Sequence, residues 1–537
     1  MFDLTDTISA ISTPPGEGGI GIVRVSGPAS ISIAKKIFTT PKGESLNGVE
    51  SHKVIYGYIK DPDTRKNIDE VLLTVMYSPK SFTGEDVVEI SCHGGSLPLN
   101  KILSLTINNG ARLAEPGEFT KKAFLNGRLN LLQAEAVIDI IKSKSDTALE
   151  SAMKQLQGGL AEKITSIRSI LINMLAKIEA DIDFPEEDIE FTPLSSPPLT
   201  SPFSPPSEGG ERGGLQGGGR GGITLQKNLE SVLTEIGQLV DSYRYGKVYR
   251  EGVSVVIAGR PNVGKSSLMN ALLNEERAIV TSIPGTTRDT IEEGLNLNGL
   301  TIKIVDTAGI RESEGLVEQE GIKRTQKAIE GAGLIIFLLD ASEGLREEDK
   351  DLIKKIKQKN KPIIIAINKI DTGNKIEAPS PQSSPLRGEA APSISSPLWG
   401  EGQGEGGFLK ISALKNIGLN ELKNKIFDII TPPSSPPLTS PFSPPSEGGE
   451  RGGFQGGEKR GVETPEGIFI TRERHRELLS KSLDSLNKAI NAINQNLSPE
   501  FIAADLRLTL ESLGEITGET YSEDVLDRIF QEFCIGK

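Results

Sequence analysis

The chain has 537 residues, two cysteines and a formal net charge of −13. That length admits about three domains, and the acidic balance excludes binding of nucleic acid by bulk charge, so any RNA contact needs a local basic patch or a partner protein. Two cysteines, Cys92 and Cys534, exclude a disulfide scaffold and fit a reducing compartment.

Hydrophobic residues make up 36% of the chain, below the roughly 45–50% norm that also counts glycine. Part of that deficit sits in low-complexity tracts. The first residues lack a basic segment followed by an apolar core, so no signal peptide is expected. The longest apolar run, near 334–339, is far too short to cross a bilayer. The expectation is a soluble, cytosolic protein with no membrane span.

In chain order, residues 1–120 are mixed, with β-branched apolar runs at 20–25 and 87–90 separated by turn signals. Residues 121–247 are mostly helical: Ile164, Ile167, Leu171, Met174, Ile178 and Ile182 recur at three- and four-residue spacing, one face of a long helix. Residues 248–430 alternate strand-like runs (253–258, 301–305, 334–339, 363–367, 408–411) with helical ones, which predicts a parallel α/β sheet. Residues 462–537 are helical again, with Leu479, Leu483, Leu486, Ile490, Ile493 and Leu497 on one face. The α/β block thus interrupts a helical domain. Neither helical half closes a bundle alone, so the two are expected to pack together.

Three tracts look foreign. One begins SSPPLTSPFSPPSEGGERGG at Ser195, a near copy begins at Ser434, and a related Pro/Ser/Gly tract at 378–407 holds the only tryptophan, Trp399. Such composition buries too little apolar surface to offset chain entropy, so disorder is predicted at 195–222, 378–407 and 431–461. Long insertions in surface loops cost little, and these fall between regular elements. A solenoid is the weaker reading, because the copies are far apart and lack periodic apolar positions.

The chemistry concentrates in the α/β block. G-R-P-N-V-G-K-S, residues 259–266, follows a strand-like run and opens a helix, the context a P-loop needs. Backbone N–H groups from Asn262 through Ser267, Val263 and Gly264 among them, can wrap phosphates. Lys265 can reach the outer phosphates, and the Ser266 hydroxyl can hold Mg²⁺. N-K-I-D at Asn368, Lys369, Ile370 and Asp371 has the guanine-reading form: a carboxylate accepts from two adjacent donors that adenine lacks. The pair of motifs points to GTP.

Three weaker elements complete the set. G-T-T-R-D from Gly285 is a candidate switch. D-T-A-G (Asp306, Thr307, Ala308, Gly309) follows a strand, the Asp in the second Mg²⁺ shell and the Gly309 N–H at the γ-phosphate. S-A-L (Ser412, Ala413, Leu414) follows the last strand and supports the base. Each alone means little. Together they lie at the strand ends where this topology binds ligands. Ile310 stands where Ras-type enzymes orient water with Gln, so hydrolysis needs another polar group and another positive charge.

At this point the chain closely resembles the TrmE/MnmE tRNA-modification GTPases. The likeness extends to T-P-P-G-E-G-G-I-G-I-V-R (13–24), S-F-T-G-E-D-V-V-E (81–89), C-H-G-G (92–95), P-G-E-F-T-K-K-A-F-L-N-G-R (116–128) and the terminal C-I-G-K. It covers everything except the three tracts. The resemblance implies an N-terminal α+β tetrahydrofolate-binding and dimerisation domain (1–120). It also implies a helical bundle domain (121–247 and 462–537) interrupted by a Ras-like P-loop GTPase domain (248–430). It implies K⁺ held by Asn262, Thr281, Ile283 and Thr286 of T-S-I-P-G-T-T (with Ser282 and Pro284 in the same GTP-contacting loop), and Mg²⁺ held by Ser266 and Thr287.

The family's water-orienting glutamate maps to Glu318, whose residue-level reading is a solvated carboxylate. 5-Formyltetrahydrofolate would be held by Arg24, Glu89, Arg128 and Lys537; read alone, the two arginines are surface charges. A folded-back tail would bring Cys534 to the one-carbon unit as a candidate catalytic group, whereas read alone that tail is a frayed end. The implied partners are a second copy in a homodimer, tRNA, and the FAD-containing protein MnmG (GidA) in a heterotetramer. The implied activity is addition of an aminomethyl or carboxymethylaminomethyl group to C5 of wobble uridine. A ribosome-assembly GTPase shares the G motifs and is the alternative, as is a purely regulatory switch.

Overall fold

A computed structural model of the full chain describes residues 6–43, 46, 48–183, 220–275, 292–297, 300–306, 328–359, 361–372, 408–431 and 468–537. The predicted disordered tracts lie outside the described residues, except that a helix already begins at Arg220, inside the stretch assigned to the first tract, and that Thr431, the first residue of the last, caps a described helix. The chain forms two compact units. One draws on Met1–Lys142, Ala152–Tyr243 and Arg472–Lys537, the other on Ser143–Ser151 and Arg244–Thr471.

The first unit opens with β1 (Ile8–Ile11), β2 (Gly18–Ser26), α1 (Ser30–Ile37), β3 (Phe38–Thr39), β4 (Lys53–Lys60), β5 (Asn67–Met76), β6 (Val87–Gly94), α2 (Ser96–Asn108) and β7 (Arg112–Leu113). The described strands form a seven-stranded sheet of order β3-β4-β5-β6-β2-β1-β7. Val23, Val25, Leu73, Val75, Val88 and Ile90 alternate inward and pack beneath Ile33, Ile37 and Ile102. The period of two explains the face: Arg24 and Glu89, one step out of phase with that core, are direct partners across β2 and β6.

Helices follow: α3 (Glu118–Leu125), α4 (Leu131–Lys142), α5 (Asp146–Leu156), α6 (Gly159–Asp183) and α7 (Arg220–Glu251). On α6 the residues Ile164, Ile167, Leu171, Met174 and Ile178 are buried, the face the spacing predicts.

In the second unit, β8 (Val253–Ala258), α8 (Lys265–Glu275), β9 (Glu292–Leu297), β10 (Leu300–Asp306), β11 (Leu334–Asp340), α9 (Glu347–Lys357), β12 (Ile363–Asn368), β13 (Leu409–Lys410) and α10 (Leu419–Ile430) alternate. The described strands give a six-stranded sheet of order β13-β12-β11-β8-β10-β9. Every pairing is parallel except β9 with β10. A wholly parallel sheet was the expectation. The antiparallel β9, EEGLNL, hides from a search for apolar runs because only alternate residues, Leu295 and Leu297, face the core. In the central β11 all seven residues are buried, as a strand covered on both faces requires.

The chain closes in the first unit with α11 (Glu473–Asn494), α12 (Pro499–Thr517) and α13 (Glu523–Gln531). The predicted stripe on α11 is rotated. Leu479 and Leu486 are buried, Leu483, Ile490 and Ile493 are half-buried, Leu497 lies beyond the end of the helix and is exposed, and the small residues Ser482, Ser485, Ala489 and Ala492 are buried. Small side chains let α11 approach α12 closely. Arg507 of α12 pairs with Glu179 of α6 at 2.6 Å, so the two helical halves do pack together. Among the described residues no helix is long and apolar enough to cross a membrane.

Candidate functional site

The nucleotide loop starts where β8 ends. Gly259 has φ +149° and an added Cβ would meet the Leu338 carbonyl at 2.5 Å; Gly264 has φ +95° and its Cβ would meet Asn368 Nδ2 at 2.3 Å. Both positions need glycine. Asn262 takes the left-handed conformation, φ 65°, unusual for a residue with a side chain.

Four carbonyls of the loop accept from side chains. Lys265 Nζ donates to Gly259 O and Arg260 O, each at 2.8 Å. Lys369 Nζ donates to Asn262 O at 2.6 Å, and Asn368 Nδ2 to Val263 O at 2.9 Å. With these four carbonyls engaged, the loop leads into the N-terminus of the eleven-residue α8. The N–H groups of a helix N-terminus and the helix dipole favour phosphate there. Ser266 and Ser267, at that first turn, are exposed.

The base-reading side is equally tied. Asn368 Oδ1 accepts from Ala413 N at 3.0 Å, and Asp371 Oδ1 from Ser412 Oγ at 2.7 Å. The Ser412 hydrogen bond holds the Asp371 carboxyl below its ordinary range, so at neutral pH it accepts from a base rather than donates. Ser412 and Ala413 are buried; Leu414 is exposed.

Two contributors escaped the sequence reading. Asp340, which closes β11, accepts from Lys369 Nζ at 2.7 Å and Ser342 Oγ at 2.6 Å. Burial pushes its carboxyl up, but Lys369 and Ser342 outweigh this and hold it low. Arg260 donates to Asp349 at 2.8 Å and Glu343 at 3.0 Å, strapping the loop to α9. A charge ending an otherwise apolar strand was the available signal for Asp340. Thr281, Ser282, Ile283, Pro284, Gly285, Thr286, Thr287, Thr307, Ala308, Gly309 and Glu318 lie outside the described residues, as does the side chain of Asp306.

In the other unit the C-terminal tail lies along the N-terminal sheet. Ile535 bridges Pro116, and Gly117 N donates to Cys534 O at 3.4 Å. Gly536 O accepts from Ser12 Oγ at 3.1 Å and Arg24 Nη1 at 3.2 Å. Arg24 Nε donates to Glu89 Oε1 at 2.8 Å. Its guanidinium carbon lies 5.5 Å from the Phe119 ring centre and 5.7 Å from that of Phe82. Arg128 lies 5.5 Å from the same Phe82 ring. Arg24, Glu89 and the tail therefore meet, Phe82 brings Arg128 beside them, and Lys537 follows half-buried. Cys534 is exposed and Cys92 buried, both as free thiols. Burial, helped by Asp69, pushes the Cys92 thiol up to about 11, which keeps it protonated and inert.

A glycine-rich loop between strand and helix, braced by N-K-x-D and S-A-x, defines a guanine-nucleotide-binding P-loop domain. Here it stands between two halves of a helical domain. Residues 7–128 match the family model of the GTP-binding protein TrmE N-terminus, and residues 131–534 that of the MnmE helical domain. The tRNA modification GTPase MnmE of Desulforamulus reducens is 42% identical over 535 residues, 99% of this chain and 100% of that one. The Clostridioides difficile protein of the same name is 40% identical over 537 residues, 100% of both. Among solved structures, an Aquifex aeolicus Era variant bound to GDP.AlF4- is 31% identical over 35% of this chain and 59% of that one, with a TM-score of 0.24.

The chain belongs to the TrmE/MnmE family of tRNA modification GTPases. It is a GTPase of that family, involved in tRNA modification. The flanking matches set aside a ribosome-assembly factor, which the G motifs alone left open.

Proposed function

We propose that this chain is a K⁺-stimulated GTPase that works as a homodimer and, in a heterotetramer with the FAD-containing MnmG, builds the aminomethyl or carboxymethylaminomethyl group on C5 of wobble uridine. The carbon comes from 5-formyltetrahydrofolate. The observation that carries the folate half is the convergence of Arg24, Glu89 and the tail carbonyl of Gly536, at 2.8 and 3.2 Å from the same guanidinium. A carboxylate suits the donor edge of a pterin, and cations suit a glutamate tail. Arg24, Glu89, Arg128 and Lys537 hold the ligand, and Cys534 stands at the same end of the chain as a candidate for its one-carbon chemistry. Bound folate supplies the one-carbon unit.

For the nucleotide half, Lys369 engages the Asn262 carbonyl, while the residue itself is exposed. That leaves its side-chain amide for a monovalent cation, which supplies the positive charge an arginine finger would otherwise provide. Thr281, Ile283 and Thr286 complete that cation's ligands, Ser266 and Thr287 hold Mg²⁺, and Glu318 orients the water. GTP turnover is then a switch acting on the partner's chemistry.

The test is GTP hydrolysis in K⁺ against Na⁺, with wild type and Asn262→Ala. Stimulation by K⁺ that the variant loses is the expected outcome. Equal rates in both salts would reject the cation assignment. Calorimetry with 5-formyltetrahydrofolate tests the folate half separately.

A further inference from the structure

Phe82 is held more firmly than a loop residue needs to be. Its neighbour Thr83 exchanges a hydrogen bond with Ser26 at 2.7 Å, and the Thr83 carbonyl accepts from Asn126 Nδ2 at 2.7 Å. Glu85, three residues on, takes Lys122 Nζ at 2.9 Å. The Phe82 ring packs against the cluster of Ile8, Ala10, Ala114 and Phe119.

Two guanidinium groups lie within 6 Å of this one ring, Arg24 at 5.7 Å and Arg128 at 5.5 Å. The ring quadrupole attracts both. Their situations differ. Arg24 is already neutralised by Glu89. Arg128 has no carboxylate partner among the described residues: its contacts are the Phe82 ring and the Phe82 carbonyl, at 3.2 Å from Nη1. One residue thus positions Arg128 without cancelling its charge.

The geometry points to Phe82 as a positioning residue that presents Arg128 as the open cation of the pair, to receive a carboxylate of the folate-type ligand. This rests on the folate reading above. Tyr at 82 keeps the ring. Leu keeps apolar packing but has no quadrupole, and Met replaces it if the Leu variant does not fold.

The experiment is calorimetric titration of the full chain with 5-formyltetrahydrofolate, for wild type, Phe82→Leu, Phe82→Tyr, Arg128→Gln and the Phe82→Leu/Arg128→Gln pair. Arg128 is exposed, so Phe82→Leu and Arg128→Gln should each weaken binding roughly two- to fivefold, the size of a cation–π contact at an exposed site. Phe82→Tyr should bind like wild type. If Phe82 acts through Arg128, the double variant is no weaker than either single one. Unchanged affinity in Phe82→Leu, or losses that multiply in the double variant, would overturn the inference while leaving the folate reading standing. Absence of binding by wild type would overturn both.

Discussion

In the nucleotide-binding unit, Lys265 and Lys369 engage backbone carbonyls no more than 107 positions away. In the other unit, Arg24 reaches Gly536 across 512 positions, and His475 reaches Glu135 across 340. The first site is one strand–loop–helix turn braced by two short motifs. The second exists only when the two ends of the chain have met. A site of the first kind tolerates long insertions between its parts, because each part is folded by its own strand. A site of the second kind depends on whatever holds the chain ends together.

What holds them includes a buried ion cluster. Glu135 on α4 accepts from His475 Nε2 at 2.6 Å and pairs with Arg474 at 3.1 Å; Arg472 pairs with Asp139 at 2.8 Å. Burial would raise the Glu135 carboxyl, but Arg474, His475 and Arg472 outweigh it and hold it well below the usual range. Burial lowers His475, so its neutral form donates from Nε2 to the carboxylate. Removing one member leaves buried charge unpaired, so Glu135→Ala should cost about 3–5 kcal/mol. The melting transition of the first unit should fall, while binding of a fluorescent GDP analogue by the second changes less than twofold. If nucleotide binding falls equally, the two plans are not independent.

The same cluster has a pH signature. Both folded-state shifts are downward. Stability from His475 is therefore complete above its unfolded value near 6.5 and erodes as pH falls below it. The Glu135 contribution persists until roughly pH 4.3 and is lost below that. Acid unfolding of the first unit should accordingly begin near pH 6.5 and steepen near 4. His475→Gln, followed by circular dichroism, should remove the first phase only.

Guanine selection offers the next largest effect, and it lies wholly within the local plan. Asp371 presents two acceptors, and Asn presents one acceptor and one donor. Asp371→Asn should weaken GTP at least about 100-fold, because a base donor is left facing an amide donor. It should also favour a xanthine nucleotide, whose second carbonyl accepts from that amide. Competition binding with GTP and XTP measures both. Folate binding in the same variant should be unchanged.

This contrast explains what the sequence revealed. Gly259, Gly264, Lys265, Asn368 and Asp371 were legible because phosphate and guanine recognition need particular residues at fixed short spacing. Five buried positions on α6 were legible from periodicity. On α11 periodicity misled, since the large residues were counted and the packing runs through Ser482, Ser485 and Ala489. Antiparallel β9 was missed because a half-covered edge strand makes no apolar run. The tail site was readable only by resemblance: nothing near residue 24 announces residue 536. Phe82 was quoted within a motif and given no role, because an aromatic between two arginines is a spatial fact.

The smallest effect should come from the chain end itself. Gly536 has φ +94°, and an added Cβ would meet the Ile11 carbonyl at 2.4 Å. Alanine there must either strain by about 1–3 kcal/mol or let go. The segment around Gly536 is held by one isolated bridge at Ile535 and by hydrogen bonds to its carbonyl, so it can let go, which caps the loss at what those contacts contribute. Gly536→Ala should therefore leave the melting temperature almost unchanged, while Arg24 and Ser12 lose their shared acceptor. Affinity for 5-formyltetrahydrofolate should fall roughly threefold to fivefold, a fraction of one hydrogen bond to a charged group. At Gly264, where the added atom would meet Asn368 Nδ2 at 2.3 Å, no escape exists because both flanks are anchored. An equal loss of stability at the two glycines would mean the tail is as much a part of the fold as the nucleotide loop, and would end the distinction between the two plans.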